Sequence, residues 1–320
     1  MIQVAIVGCG NIAHAHMEGL LTFPKRCQVV ALCDIYPEKA EAMKKEYGLN
    51  CRIYADHETM LEKENKLDLV HVCTPPYVHA EISIHALDAG CNVVVEKPMA
   101  TCLSECDQML EAEKRSKKTL ACIAQNRFRN SIYKLKKLAD SGLAGKICCA
   151  HVNSLWWRGH CYYDLWWRGT WEKEGGGPTL NHAVHHIDML NWIEGKLPKE
   201  VMAMLTNVMH DNAEVEDLSF AVCRYDDGSL AQVTSSVVHH GEEQGIELQC
   251  ITGEDGRKTV ELITAIYKAG FIKQIVTLPI EKNDPYYTFE GLLAHAVHFY
   301  EKTSFVENFE SQQISLGNYK

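Results

Sequence analysis

The segment VVVEKP at residues 93–98 runs three valines into a glutamate, a lysine and a proline. β-Branched residues suit a sheet interior, and charges at the point where the run should stop place Glu96 and Lys97 at the mouth of a strand. A second set of polar groups follows the glycines and proline at 175–178. Asn181, His185 and Asp188 are spaced to share one stripe of a helix that begins near Thr179, a face able to hold or move protons. His182 and His186 share another stripe, and their plain reading is as packed or solvated helix residues. HAVHH lacks the glutamate of H-E-x-x-H and a third ligand spaced nearby, so no metal is expected there.

The elements that position these groups begin at the amino terminus. IQVAIVG leads directly into GCGNIAHAHMEGLL, which reads as strand, glycine turn and helix. Gly8, Gly10 and Ala13 fit G-x-G-x-x-A: no side chain at the tight bend, none where a pyrophosphate must approach, and a small one where helix meets strand. Backbone N–H groups at the helix start, at Asn11 and Ile12, would then face phosphates. A tight structural turn would use the same residues. The next strand, CQVVALCD, shifts the balance, because it ends in Asp34, where a carboxylate can take ribose hydroxyls and repel a 2′-phosphate. LDLVHVCTP, VHAEISIHALDAG, CNVVVEKP, SECDQMLEAEKRSKK and TLACIAQNRF continue the alternation of strand and helix. That pattern predicts right-handed parallel βαβ units and a dinucleotide-binding domain over residues 1–125. Ligands of such a sheet lie beyond the carboxyl ends of its strands, where Thr74, Pro75, Glu96 and Lys97 fall.

From about residue 146 the pattern changes to longer strands of period two, in KICCAHVNSLWW, EVMAMLTNV and LSFAVCRYDDGSLAQVTSSVV, with a hairpin turn at Asp227-Gly228. An antiparallel sheet and a second domain over 126–320 follow. The pentamer LWWRG occurs at 155 and again at 165, which reads as an aromatic loop rather than a solenoid repeat. A chain of 320 residues and 36.1 kDa exceeds the usual size of one hydrophobic core, in keeping with two domains. With 32 Lys+Arg against 42 Asp+Glu, a net charge of -10 and no basic block, neither nucleic acid nor an anionic membrane surface is an expected partner. MIQVAIVGCG has no basic n-region and no apolar run approaches a membrane span, so a cytoplasmic protein is expected. Many of the 14 cysteines lie inside apolar strand patterns, which favours reduced, buried thiols.

Taken in order, G-C-G-N-I-A, Asp34, T-P-P-Y-V-H, E-K-P and G-G-G-P-T-L-N-H-A-V-H-H-I-D resemble the glucose-fructose oxidoreductase, inositol dehydrogenase and rhizopine catabolism family. The resemblance implies an α/β fold: an N-terminal Rossmann domain and a C-terminal α+β domain with an open, mostly antiparallel sheet. It implies hydride transfer between NAD, with NADP less favoured, and a hydroxyl of a sugar or polyol. Lys97 would be the catalytic lysine of E-K-P, His185 the histidine that contacts the reacting hydroxyl, and Asn181 a group that orients it. Gly8, Gly10, Asn11, Ile12, Asp34, Thr74, Pro75, His79, Glu96, Lys97 and Gln125 would line the cofactor, with Trp167 and Arg168 as a W-R pair near the nicotinamide. A base for the leaving proton must titrate near the working pH, and burial beside a cationic ring would lower the pKa of Lys97 toward it. Relatives often pair through the open sheet face, which implies a dimer or tetramer.

Two features depart from the family pattern. Asn181 stands where many such dehydrogenases carry Asp, and an amide cannot accept a proton. GIELQC runs directly into ITGEDGRKTVELITAIYKAG, where relatives insert several dozen residues, so either the segment is deleted and the second domain shortened after residue 250, or the sheet is completed in some other way. Two further readings therefore stand beside the dehydrogenase: a glycosidase that oxidises, eliminates and re-reduces, with His182, His186 or His160 as the additional base, and a catalytically silent NAD-binding regulator.

Overall fold

A computed structural model describes residues 1–239 and 250–304. Its first sheet has seven strands in the order β11-β6-β5-β4-β1-β2-β3. β1 (Ile2–Val7), β2 (Cys27–Cys33), β3 (Arg52–Tyr54), β4 (Leu69–Val72), β5 (Asn92–Val95) and β6 (Leu120–Ile123) run parallel to one another. The crossovers are α1 (Asn11–Leu21), α2 (Pro37–Glu46), α3 (His57–Lys63), α4 (His79–Asp88) and α5 (Leu103–Ser116). Each apolar run became a strand because helices cover both faces, leaving no polar face to alternate. Ile6, Ala13, Met17, Leu32 and Met43 fill one side. Val93, Val95, Leu120 and Met109 belong to a larger core on the other.

After α6 (Asn130–Asp140) the chain enters a five-stranded sheet, β12-β8-β9-β10-β7. β7 (Cys149–Leu155) is parallel to β10 (Leu230–Ser236), while β8 (Glu200–Thr206), β9 (Leu218–Arg224) and β12 (Val276–Thr277) pair antiparallel. The β9–β10 hairpin turns at Asp227-Gly228 as expected, with Gly228 at φ +83°. Alternation in β8 and β9 buries Val201, Ala203, Ala221 and Cys223, while Met202, Met204, Phe220 and Val222 stand 53%, 77%, 49% and 52% exposed on the open face.

The chain then crosses back. Of the GIELQC segment, Gly245–Gln249 lie outside the described residues, and β11 (Cys250–Thr252) pairs antiparallel with β6, at the edge of the first sheet. The second sheet is completed differently, by the short β12 beside β8. Between them runs α10 (Gly253–Ile272), which packs against β8, α5 and the helix that carries His185. Gly270 permits that approach, since a Cβ there would come within 1.6 Å of Leu205 Cδ1. No described helix is long and apolar enough to cross a membrane.

Candidate active site

The nucleotide end of the cleft is built from backbone. Gly8 sits at φ +89°, and a Cβ at this position would lie 2.7 Å from the Cys73 carbonyl, so a glycine is required where β1 turns past β4. Gly10 is the extended residue before α1, with nothing within 4 Å of its Cβ position, which leaves room in front of the first-turn N–H groups of Asn11 and Ile12. Asp34 follows β2 and accepts hydrogen bonds from the N–H groups of Cys9 at 2.7 Å and Tyr36 at 2.9 Å. Those bonds fix its carboxylate beside the glycine turn and leave further lone pairs for ribose hydroxyls. Thr74 Oγ1 and Gln125 Oε1 are buried with no hydrogen-bond partner among the described residues. Buried polar atoms are rarely left so, and both fit a dinucleotide along the strand ends.

Two of the cofactor residues suggested by the sequence serve the frame behind the cleft. Both ring nitrogens of His79 lie 2.8 Å from backbone carbonyls, those of Pro98 and Thr74, so the imidazole joins the ends of β4 and β5. Glu96 is buried; it accepts the Lys97 N–H at 3.0 Å and meets His16 Nε2 at 3.0 Å. His16 in turn reaches His71 at 2.7 Å, and burial drives the His71 pKa down to about 3. This polar chain holds the end of β5, where Lys97 emerges.

Lys97 Nζ donates to the backbone carbonyl of Asn181 at 2.9 Å. That acceptor exists because the expected continuous helix is interrupted: α8 (Pro178–Asn181) and α9 (Val184–Glu194) are separate. The His182 and Ala183 N–H groups both turn to the Pro178 carbonyl, and the His185 N–H turns to His182 at 3.4 Å, which leaves the Asn181 carbonyl outside the helical ladder. The single Asn181–His185–Asp188 stripe is therefore corrected. Asn181 directs its side-chain amide to the Gly176 carbonyl at 2.9 Å. Asp188 accepts both arms of Arg127, at 2.7 and 2.8 Å, and Arg127 also reaches Asp255 at 3.1 Å. Asp188 thus ties α9 to the turn after β6 and to α10. It is not the partner of Lys97.

His185 and Lys97 line the same pocket, with Met99, Ile123 and Thr259 in its walls. Burial lowers the Lys97 pKa, Glu96 opposes that, and Arg168 lowers it further. Burial drives the His185 imidazole well below its ordinary pKa, with Lys97 adding to the effect. Burial likewise lowers His182, with Arg158 adding, and the His182 Nδ1 has no partner among the described residues. Trp167 and Arg168 lie on the loop before α7 (Trp171–Glu174). The Arg168 guanidinium is over the Tyr162 and Trp167 rings, 4.1 and 4.3 Å from their centroids, and donates to the Tyr162 hydroxyl and to Glu174. Burial pushes the Glu174 carboxyl up, and Arg168 opposes it.

Sequence reasoning missed Glu174, Arg127 and Glu216. Glu216 is fully buried, accepts from the Gly177 and Thr179 N–H groups at 3.2 and 3.0 Å, and has its pKa pushed up to about 7 by burial. It anchors the start of α8, and the signal for it in the sequence is a carboxylate pair in the apolar context of EVEDLSF.

Residues 2–123 match a family model described as an oxidoreductase family with an NAD-binding Rossmann fold, and residues 132–257 match the GFO/IDH/MocA C-terminal domain. The chain belongs to the GFO/IDH/MocA oxidoreductase family. Residues 2–123 are an NAD-binding Rossmann domain. The chain is 28% identical over 258 residues to a 2,7-anhydro-N-acetylneuraminate hydratase of Mediterraneibacter gnavus, covering 79% of this chain and 66% of that protein. It is 30% identical over 194 residues to a D-glucoside 3-dehydrogenase of Escherichia coli, covering 61% of this chain and 54% of that one. It thus spans less than two thirds of either relative's length. A crystal structure of the WlbA dehydrogenase from Bordetella pertussis, in complex with NADH and UDP-GlcNAcA, superposes with a TM-score of 0.80 at 26% identity, covering 88% of this chain and 99% of that chain.

Proposed function

We propose that this chain is an NAD-dependent oxidoreductase acting on a CH–OH group of a sugar, polyol or sugar derivative. The observation that carries the reading is the meeting of Lys97 with His185 at the carboxyl end of β5, two basic groups whose charged forms burial disfavours. Bound NAD would supply the acceptor for the hydride that leaves the carbinol carbon. Lys97, held by the Asn181 carbonyl, accepts the hydroxyl proton; His185, a neutral imidazole, donates or accepts the second hydrogen bond that orients the oxygen. Gly8, Gly10, Asn11, Ile12, Thr74, Pro75 and Gln125 are assigned to the dinucleotide, with Trp167 and Arg168 near the reacting end. Asp34 makes NAD the preferred form, because its carboxylate repels a 2′-phosphate.

The buried His182, with an unpartnered nitrogen, favours a second reading in which oxidation, elimination or hydration, and re-reduction occur on one substrate. The names of the relatives, a dehydrogenase and a hydratase, support both readings. Incubation with NAD and a panel of free sugars, polyols, glycosides and anhydro-sugars separates them. Net accumulation of reduced nicotinamide supports the dehydrogenase; product formed with catalytic NAD and no net reduction supports the cycle. NAD binding without turnover of any panel member would leave a regulator.

The domain division is placed near residue 125, with 126–320 lending β11 back to the first sheet. The exposed Met202, Met204, Phe220 and Val222 favour pairing of two copies through the open face. Among the described residues no cysteine forms a disulfide and most are buried, which supports a reducing, cytoplasmic setting.

A further inference from the structure

A second group of ligand-type side chains lies outside the cleft, between α3 and α4. His57 is the first residue of α3, whose start is fixed by Asp56 Oδ1 accepting the Thr59 N–H at 2.7 Å. Glu81 and His85 lie one turn apart on α4 and so share a face. His57 Nε2 is 2.9 Å from His85 Nδ1, with the two rings stacked at 5.2 Å and 21°. One donor atom each from His57, Glu81 and His85 falls within 4.8 Å of the others, and no other such group of three occurs among the described residues. Glu58 adds a carboxylate oxygen 3.6 Å from His85 Nδ1.

We propose that His57, His85 and Glu81 bind a divalent transition-metal ion of the zinc class and clamp α3 to α4. Two imidazole nitrogens that face each other share either a proton or a metal. Around a tetrahedral zinc with bonds of about 2.0–2.1 Å the nitrogens stand roughly 3.3 Å apart, so the pair must open by only about 0.4 Å. Glu81 makes no hydrogen bond or ion pair among the described residues, and as an exposed side chain it is able to swing toward the metal. With Glu58 beside it, two carboxylates match the charge of a dication, and imidazole with carboxylate suits zinc or cobalt better than calcium or magnesium. None of these residues belongs to the dinucleotide or proton-handling set, so the site stands independently of the oxidoreductase reading.

The test uses the full chain, treated with chelator and titrated with Zn²⁺ by calorimetry and with Co²⁺ by visible absorption. One equivalent should bind, and the cobalt spectrum should lack the intense near-ultraviolet band of thiolate ligation. His57→Gln combined with His85→Gln should weaken binding by more than the roughly 10- to 100-fold seen when only outer-shell partners are lost. Far-ultraviolet circular dichroism and NAD affinity should not change, which shows that the variant is folded. Unaltered affinity in the double variant, a thiolate band, or no binding by the unmodified chain would each overturn the proposal.

Discussion

The two ends of the cleft are held by different means. At the nucleotide end, position is set by main chain within a few dozen residues of sequence: the left-handed turn at Gly8, the start of α1, and a carboxylate at Asp34 that bonds Cys9 and Tyr36. At the reacting end Lys97 and the helix that carries His185 each depend on a distant group. Lys97 is held by a carbonyl 84 residues away, and α9 is held through Arg127 and Asp188, 61 residues apart. The local arrangement suits a ligand part that many such sites share, whereas the long-range one is free to change from site to site.

The comparison breaks most sharply at Lys97. Lys97→Ala should lower turnover by about 10²- to 10⁴-fold, the range for a positioned acid or base, while NAD affinity by calorimetry stays within about threefold. Because burial depresses the Lys97 pKa, the rising limb of kcat/KM with pH should fall below the ordinary lysine value of about 10.4, and it should vanish in the variant. Comparable losses of turnover and NAD affinity would mean that the two ends are not separable.

Next in size is the tie behind the reacting end. Arg127→Met strands the buried Asp188 carboxylate and should cost about 3–5 kcal/mol of stability, read from urea unfolding. A loss under about 1 kcal/mol would show that Thr259 and solvent are sufficient for Asp188.

Acid should also act on the reacting end first. The pKa values of His71, His182, His185 and His186 are all lowered by burial. The unfolded chain therefore binds more protons than the folded one once the pH falls below the ordinary histidine value of about 6.5, and stability declines from there downward. Each such group contributes at most about 1.4 kcal/mol per pH unit. A melting temperature flat between about pH 7 and 5 would contradict the buried, neutral state of these rings.

The smallest effect is expected on the pH profile of Asn181→Asp. The Asn181 side chain faces the Gly176 carbonyl and not His185, so a carboxylate there should destabilise by about 1–3 kcal/mol without moving the acid limb of activity. A shift of that limb would place residue 181 against His185 during turnover.

The same contrast explains how much was legible in the sequence. Gly8, Gly10 and Asp34 announce themselves because a bend, an approach and a terminal carboxylate are local demands. The alternation of strands gave the first sheet, and period two gave the second. The helix break at His182-Ala183 was not legible, since the stripe of Asn181, His185 and Asp188 has good helical spacing and only the competition for the Pro178 carbonyl interrupts it. Nor was the return of β11 to the first sheet, a long-range pairing of three residues with no pattern of its own. His57 and His85, 28 residues apart on neighbouring helices, were invisible to a search for ligands along one helix.

The twenty-residue α10 has a consequence for motion. It touches β8 on one side and α5 on the other, and its Val260, Ile263 and Ile266 belong to the same core as Val95 and Val201. Such a strut couples the two sheets mechanically. Unfolding should therefore be one cooperative transition rather than two, and rigid-body gaping of one half from the other should be suppressed.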